Sequence, residues 1–270
     1  MKVQDKVIVV TGAGNGIARD VTLQLLKAGA SVAAIDVNEA NLIETQTLAG
    51  GPSKKLSLHV VDISDQLAVS KLPKAVIAKH GQVDGLMNIA GIIHKFRTVA
   101  DLSYEDFHRV FNVNFFGTVH MVKEFLPLLS ERPEAQILNV SSMGGYVPVP
   151  GQTIYGASKA AVKLFTEGLR SELANTKIGV CLFFPGAIGT NISTNSKAIT
   201  PKEAKAMAAK AGNFKVLPSP EAAAAIIEAF EQNRFHGFAG SDAKIMDKLS
   251  RLMPEQAAKI IQKQMAALLG

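Results

Sequence analysis

The stretch Lys6-Val-Ile-Val-Val-Thr11-Gly12-Ala13-Gly14-Asn15-Gly16-Ile17-Ala18 decides the fold. Lys6–Thr11 is a short β-branched run that ends in glycines, the pattern of a buried strand. From Gly16 to Ala28 the spacing turns helical, with Ile17, Val21, Leu25 and Ala28 on one side. A strand, a glycine-rich turn and a helix N-terminus in that order form an anion site. Backbone N–H groups and the helix dipole face the ligand, and glycine lets it approach. A lone motif of this kind is also an ordinary glycine turn. The second strand strengthens the anion-site reading. Its apolar run, Ser31–Asp36, closes on a carboxylate twenty residues after Gly16. Such a carboxylate accepts hydrogen bonds from a ribose 2′-hydroxyl and repels a 2′-phosphate. Val37 after it, and Asn15 in place of a basic residue in the loop, point the same way. The expected cofactor is NAD (NADH) rather than NADP.

Outward from this unit the pattern repeats. Leu56–Asp62, Leu86–Ala90, Gln136–Val140 and Ile178–Phe184 read as further strands, with one more near Phe235–Ala239. Helical spacing fills the intervals: Asn38–Leu48, a helix capped by Ser64 or Asp65 and running to about Lys79, about Ser103–Leu129, and Thr153–Ala174. The strands are continuously apolar, as parallel strands covered on both faces must be. The expected fold is α/β, a single Rossmann-type doubly wound parallel sheet of about seven strands with helices on both faces. No repeat or linker divides the chain, so residues 1–270 read as one domain.

Composition excludes several classes. Hydrophobic residues are 47% and charged residues 19%, which rules out a disordered chain. The net charge of +6 leaves nucleic acid, membrane or an acidic substrate open until it is located. Residues 197–215 alone carry five Lys and one Glu, so most of the excess is local. No zinc-finger spacing or long basic tract occurs, and no nucleic-acid partner is expected. Cys181 is the only cysteine, so neither an intrachain disulfide nor a cysteine zinc site can form, and no metal is expected. The lone cysteine and the absence of a leader pattern fit a cytoplasmic protein, and no membrane association is expected.

The chemistry gathers after the fifth strand. Gln136–Val140 delivers Ser141 and Ser142 at its C-terminal end. Tyr155 and Lys159 come on the next helix, one turn apart and on one face. A cation beside a phenol favours phenolate, so the pair can exchange a proton with an alcohol or ketone. A serine hydroxyl at the strand end can hold the substrate oxygen. Taken alone, a Tyr and a Lys one turn apart are more often a helix-surface pair.

The ordered set of motifs resembles the short-chain dehydrogenase/reductase family. Its parts are Thr11-Gly-x-x-x-Gly16-x-Ala18, Asp62, Asn88-Ile89-Ala90-Gly91, Asn114 in Asn-Phe-Phe-Gly, Ser142, Tyr155-x-x-x-Lys159, and Pro185-Gly186 with Thr190. Ala18 and Ile89 depart from the commonest pattern. The resemblance spans roughly residues 5–240. It implies that Tyr155 is the acid/base, that Lys159 lowers its pKa and holds the nicotinamide ribose, and that Ser142 polarises the carbonyl. It implies that Asn114 holds a relay water. It places Gly12, Asn15, Gly16 and Ile17 at the pyrophosphate and Asp36 at the adenosine ribose. Asp62 and Ile63 fall at the adenine, Asn88, Ala90 and Gly91 along the cleft, and Pro185, Gly186, Ile188 and Thr190 at the nicotinamide. It also implies a homotetramer or homodimer, built through the helices around 103–130 and 153–174.

The resemblance further implies a substrate lid at about 191–215, which here carries the lysine cluster. That cluster is either a solvated face or an attraction for an anionic acyl carrier. Ile92, His94, Met143, Val149 and Gln152 fall in loops that shape substrate pockets in the family. Their mix favours a secondary alcohol or ketone with a mostly apolar body. His94 reads as a loop hydrogen-bonder and Cys181 as core. A helical extension at about 241–270 is expected to dock on its own domain. The rival readings are a 3-oxoacyl thioester reductase, a hydroxysteroid-type dehydrogenase, and a non-catalytic dinucleotide-binding or scaffold protein.

Overall fold

The computed structural model describes residues 1–190, 192–196, 198, 200 and 216–265. Seven parallel strands form one sheet: β1 (Val7–Thr11), β2 (Ser31–Asp36), β3 (Leu56–Val60), β4 (Gly85–Asn88), β5 (Ala135–Val140), β6 (Ile178–Pro185) and β9 (His236–Ala239). Their order is β3-β2-β1-β4-β5-β6-β9. Two short strands, β7 (Ile188–Gly189) and β8 (Leu217–Pro218), pair separately. The order reverses between β1 and β4, so a crevice opens beyond the C-terminal ends of those two strands.

Both faces of the sheet are covered because alternate strand residues feed two cores. Ile8 and Val10 point into one, with Val21 and Leu25 of α1 (Gly16–Lys27). Ile226 and Phe230 of a later helix, Ser219–Glu231, close that core. Val9 points into the other, with Met121, Phe125 and Leu169. These come from the helices Gly117–Ser130 and Thr153–Glu172. A run buried on both faces has no polar period, which is why the strands read as continuous apolar stretches.

Two long helices differ from the expected spans. The helix after Asp65 is two: α3 (Gln66–Val69), capped by Asp65, and α4 (Leu72–His80). The break falls at Ser70-Lys71, and Pro73 suits the first turn of the second helix. Between them and α1 lies α2 (Glu39–Leu48), capped by Asn38. The helix expected over about 103–129 is α5 (Tyr104–Phe111) and α6 (Gly117–Ser130), joined by a π-helical turn at Asn112–Phe116. The remaining α-helices among the described residues are α7 (Thr153–Glu172), α8 (Ile192–Asn195), α9 (Ser219–Glu231), α10 (Ser241–Leu252) and α11 (Pro254–Met265). The last two dock on the chain itself. Met246, Ala257 and Ile261 pack with Val147, and Met143, Tyr146 and Val149 lie against them. Most of the segment expected to form a lid, Lys197 and Lys202 to Lys215 included, lies outside the described residues.

Candidate active site

The glycine loop is shaped by close approaches. Gly12 takes φ +76, and a Cβ there would sit 3.0 Å from the Ala90 backbone. A Cβ on Gly14 would meet Asp36 Oδ2 at 2.7 Å and Asn41 Cβ at 2.8 Å. Glycine at these positions lets the loop, β2 and the turn after β4 close on one another. Gly14 N–H donates to Asp36 Oδ2 (2.9 Å), and Asn38 N–H donates to Oδ1 (2.9 Å). Thr11 ties the other wall: its hydroxyl oxygen accepts from Ile89 N–H (3.0 Å) and Ala90 N–H (3.1 Å).

Helix α1 starts uncapped. Asn15 makes no side-chain capping bond, and no acidic residue stands in the first turn. Its Oδ1 accepts instead from Asn195 Nδ2 (2.9 Å). An uncapped helix start behind a glycine turn leaves N–H donors for an anion. In front of it lies a cleft of about 350 Å³. Gly12, Asn15, Gly16 and Ile17 form one wall. Asp36, Asp62 and Ile63 lie at one end, and Ala90, Gly91 and Thr190 along the rest. Ile35, Val61 and Ile92 give it apolar surfaces suited to flat rings. These residues fit a dinucleotide. Asn88 stands behind the wall rather than in it: its Nδ2 donates to Asn139 Oδ1 (2.8 Å), while its buried Oδ1 has no partner among the described residues. Asp62 Oδ1 accepts from both N–H and Oγ–H of Ser64, so this carboxylate also builds a turn.

One neighbour of the cleft belongs to no motif in the sequence. Arg19, just past the glycine loop, donates to the Gly14 carbonyl oxygen and to Thr45 Oγ1 (3.0 Å) and pairs with Glu44 (2.7 Å). It clamps the loop to α2, and its charge is already matched by Glu44. The only signal in the sequence is a basic residue one position after Ala18.

The second half of the site hangs from β5 and α7. Ser142 lies just past the end of β5, and its Oγ accepts from Gly144 N–H (3.1 Å). Ser142 also hydrogen-bonds Tyr155, which draws the phenol pKa down. Burial is the larger influence and pushes Tyr155 above the ordinary phenol value. Lys159 is 3% exposed, and its Nζ donates to the Val140 carbonyl oxygen (3.0 Å). Burial lowers its pKa to about 8. The electrostatic balance therefore differs from the simple expectation of a cation depressing the phenol: removal from water dominates both groups, and the phenol stays protonated.

Asn114 sits in the π turn, fully buried. Its Oδ1 accepts from Ile92 N–H (2.8 Å), and its Nδ2 donates to the Ile92 carbonyl (2.9 Å) and Ser158 Oγ (3.0 Å). A π turn slips the helix register by one residue, which aims Asn114 at the strand-end loop. Gly91 fits beside it, since a Cβ there would sit 3.0 Å from Lys159 Nζ. The cofactor wall and the Tyr155–Lys159 helix thus meet at Gly91. Pro185 and Gly186 stand at the end of β6. Gly186 is pressed against Asp242, whose Oδ2 accepts from Ala187 N–H (3.1 Å). Ile188 packs on the first core through β7 and does not line the cleft. Cys181 is buried in β6. Among the described residues no helix is long and apolar enough to cross a membrane.

Comparison with known proteins shows the family and the fold. The family model of the short chain dehydrogenases matches residues 6–200. A Mycobacterium tuberculosis protein designated an oxidoreductase, SadH, is 33% identical over 261 residues, covering 96% of this chain and 94% of that one. A short-chain dehydrogenase/reductase of Burkholderia phymatum, solved with NAD, has TM-score 0.81 at 26% identity, covering 93% of this chain and 96% of that one. A short-chain dehydrogenase of Burkholderia cenocepacia, solved with NADP, has TM-score 0.80 at 25% identity, covering 97% and 99%. The family model over residues 6–200 and the relative at 33% identity over 96% of this chain show that the chain belongs to the short-chain dehydrogenase family.

Proposed function

We propose that this oxidoreductase moves a hydride between NAD(H) and a secondary alcohol or ketone with a mostly apolar body, with Tyr155 as acid/base. The observation that carries the reading is the junction at Gly91, where the dinucleotide-shaped cleft meets the buried Lys159 of the helix that also bears Tyr155. When bound, the nicotinamide supplies or accepts the hydride. The chain does the rest. Ser142 and Tyr155 hold the carbonyl oxygen. In reduction Tyr155 gives its proton to that oxygen as the carbonyl carbon gains hydride, and a phenol kept protonated by burial suits the donor role. Lys159, carrying its charge below about pH 8, stabilises the phenolate left behind. In oxidation the same steps run backwards. Asn114 fixes the Gly91–Ile92 turn that faces Lys159.

Asp36 supports NAD over NADP. Its carboxylate lines the cleft end, where it would oppose a 2′-phosphate, and the nearby guanidinium of Arg19 is engaged by Glu44. Val149 supports the apolar body. A Cβ on Gly144 would lie 3.5 Å from Tyr155 Cε1 and 3.7 Å from Val149 Cγ2, so an apolar wall stands close to the phenol ring. We also infer assembly into a homodimer or homotetramer through α5–α7, since Phe107, Phe116 and Leu164 are exposed there.

The test is a panel of carrier-free ketones and a 3-oxoacyl thioester, monitored by NADH and NADPH absorbance. The reading expects reduction of carrier-free ketones with NADH preferred. Preference for NADPH, or turnover of the thioester alone, would overturn it.

A further inference from the structure

We propose that His236 is a clasp that fastens α10 to the rest of the fold, and that a proton on its ring in mild acid loosens that helix. The ring stands in the edge strand β9, away from the cofactor cleft. Its partners fix its state. Nε2 lies 2.8 Å from Glu167 Oε1 of α7, and an ionised carboxylate only accepts, so Nε2 carries the hydrogen. Nδ1 lies 3.2 Å from Arg251 Nη2 of α10, and a guanidinium only donates, so Nδ1 is bare. The neutral Nε2–H ring satisfies both. Each partner is anchored in turn. Lys163 Nζ donates to Glu167 Oε2 (2.9 Å). Arg251 donates to Asp247 Oδ1 through Nε (3.0 Å) and Nη2 (2.9 Å). The contacts thus run from the helix of Tyr155 and Lys159, through β9, to the last turns of α10.

The other end of α10 reaches the active site. Asp242 Oδ2 accepts from Ala187 N–H (3.1 Å) beside Gly186. Tyr146 Oη donates to the Ala243 carbonyl (2.6 Å), next to the turn that follows Ser142. Between these ends Met246 packs with Val147. Helix α10 is therefore a strut, with its first turn on the strand-end loops and its last turn on His236.

A proton on Nδ1 removes the acceptor that Arg251 uses and sets two cations face to face. The charged groups around the ring are Glu167 on α7, with Lys163 behind it, and Asp247 and Arg251 on α10. Arg170 stands one ring away, over Phe235. From β6 the ring meets only Phe184, edge-on at 5.3 Å. Burial is the largest influence and lowers the ring pKa, Glu167 raises it, Arg251 lowers it, and the net direction is down from 6.5. A released ring titrates at the ordinary value. In mild acid the released form therefore binds more protons, so docking is full above about pH 6.5 and weakens as pH falls. Burial would raise the Glu167 carboxyl, yet its bonds from Lys163 and His236 bring it below 4.5, so it stays ionised in this range.

Amide hydrogen exchange of the apoprotein at about pH 7.5 and 5.5, corrected for the intrinsic pH dependence, tests the clasp. Protection of α10 should fall at least about threefold, and at most about tenfold, the limit for one ring of ordinary pKa. Protection of β1 and α7 should hold. His236→Gln keeps a donor for Glu167 and an acceptor for Arg251 but cannot titrate, so its α10 protection should change by less than about 1.5-fold. Should that variant leave α10 unprotected at neutral pH, Arg251→Gln decides. Its amide oxygen accepts from a protonated Nδ1, and the acid response should shrink to about half or less. Unchanged α10 protection in the wild type, an equal fall across the sheet, or a wild-type response in the deciding variant would overturn the clasp. No substrate enters these measurements, so their outcome is separate from that of the proposed reduction.

Discussion

Lys159 holds its charge in a place that disfavours it, and a pH series on the Lys159→Met variant measures how much. Burial lowers the ammonium pKa from 10.5 to about 8. At pH 7 the folded chain therefore carries the charge at a cost of about 3 kcal/mol relative to the unfolded chain. The unfolded chain keeps that proton up to about pH 10.5, whereas the folded chain releases it near 8. Between those values the unfolded state binds more protons, so stability rises with pH. About 2 kcal/mol of the cost is relieved by roughly pH 9.5. The hydrogen bond to the Val140 carbonyl does not alter this slope, since a neutral amine still donates. Urea unfolding of the apoprotein at pH 7 and about 9.5, for wild type and Lys159→Met, isolates the residue, because the other titrating groups are common to both. The wild type is expected to gain about 2 kcal/mol more than the variant over that interval. Parallel pH trends would refute the claim that Lys159 is held charged against burial.

Three further outcomes rest on particular contacts. Asp36→Asn removes the charge facing the 2′ position, so the ratio of kcat/KM for NADH over NADPH should fall at least about tenfold, roughly 1.4 kcal/mol. Gly14→Ala drives a Cβ into Asp36 and Asn41, and titration by fluorescence should show NADH affinity weakened about tenfold, with loss of thermal stability as well. Tyr146→Phe deletes the bond from Tyr146 Oη to the Ala243 carbonyl (2.6 Å) that ties the end of the 3₁₀ turn Met143–Gly145 to α10. It should cost about 1 kcal/mol in chemical unfolding.

Much of the framework is legible because burial on both faces leaves a plain signature. Val7–Thr11, Ser31–Asp36 and Ala135–Val140 fall within a residue of the apolar runs that announce them. The glycine loop, Asp36 and the Ser142, Tyr155, Lys159 order are equally plain, since each occupies a fixed place after a strand. The features that escape are set by tertiary contact. The π turn at Asn112–Phe116 lies inside an unbroken helical pattern, and only its bonds to Ile92 show why the register slips there. Arg19 looks like a surface residue until the fold brings Glu44 and Thr45 beside it. The direction of the Tyr155 shift depends on how deeply the phenol is buried, which spacing along a helix does not report. His94 reads as a loop hydrogen-bonder, and one of its nitrogens is that. The other has no partner among the described residues, a fact only the packed structure reveals.

The central claim is that Tyr155 gives the proton during NADH-dependent ketone reduction, and the Tyr155→Phe variant tests it most directly. NADH binding, read by fluorescence titration, should stay within about twofold of wild type, since the glycine loop and Asp36 are untouched. Reduction of a ketone accepted by the wild type should drop by at least about a hundredfold, the usual weight of a positioned proton donor. Near-wild-type turnover by Tyr155→Phe, with cofactor bound, would contradict the account.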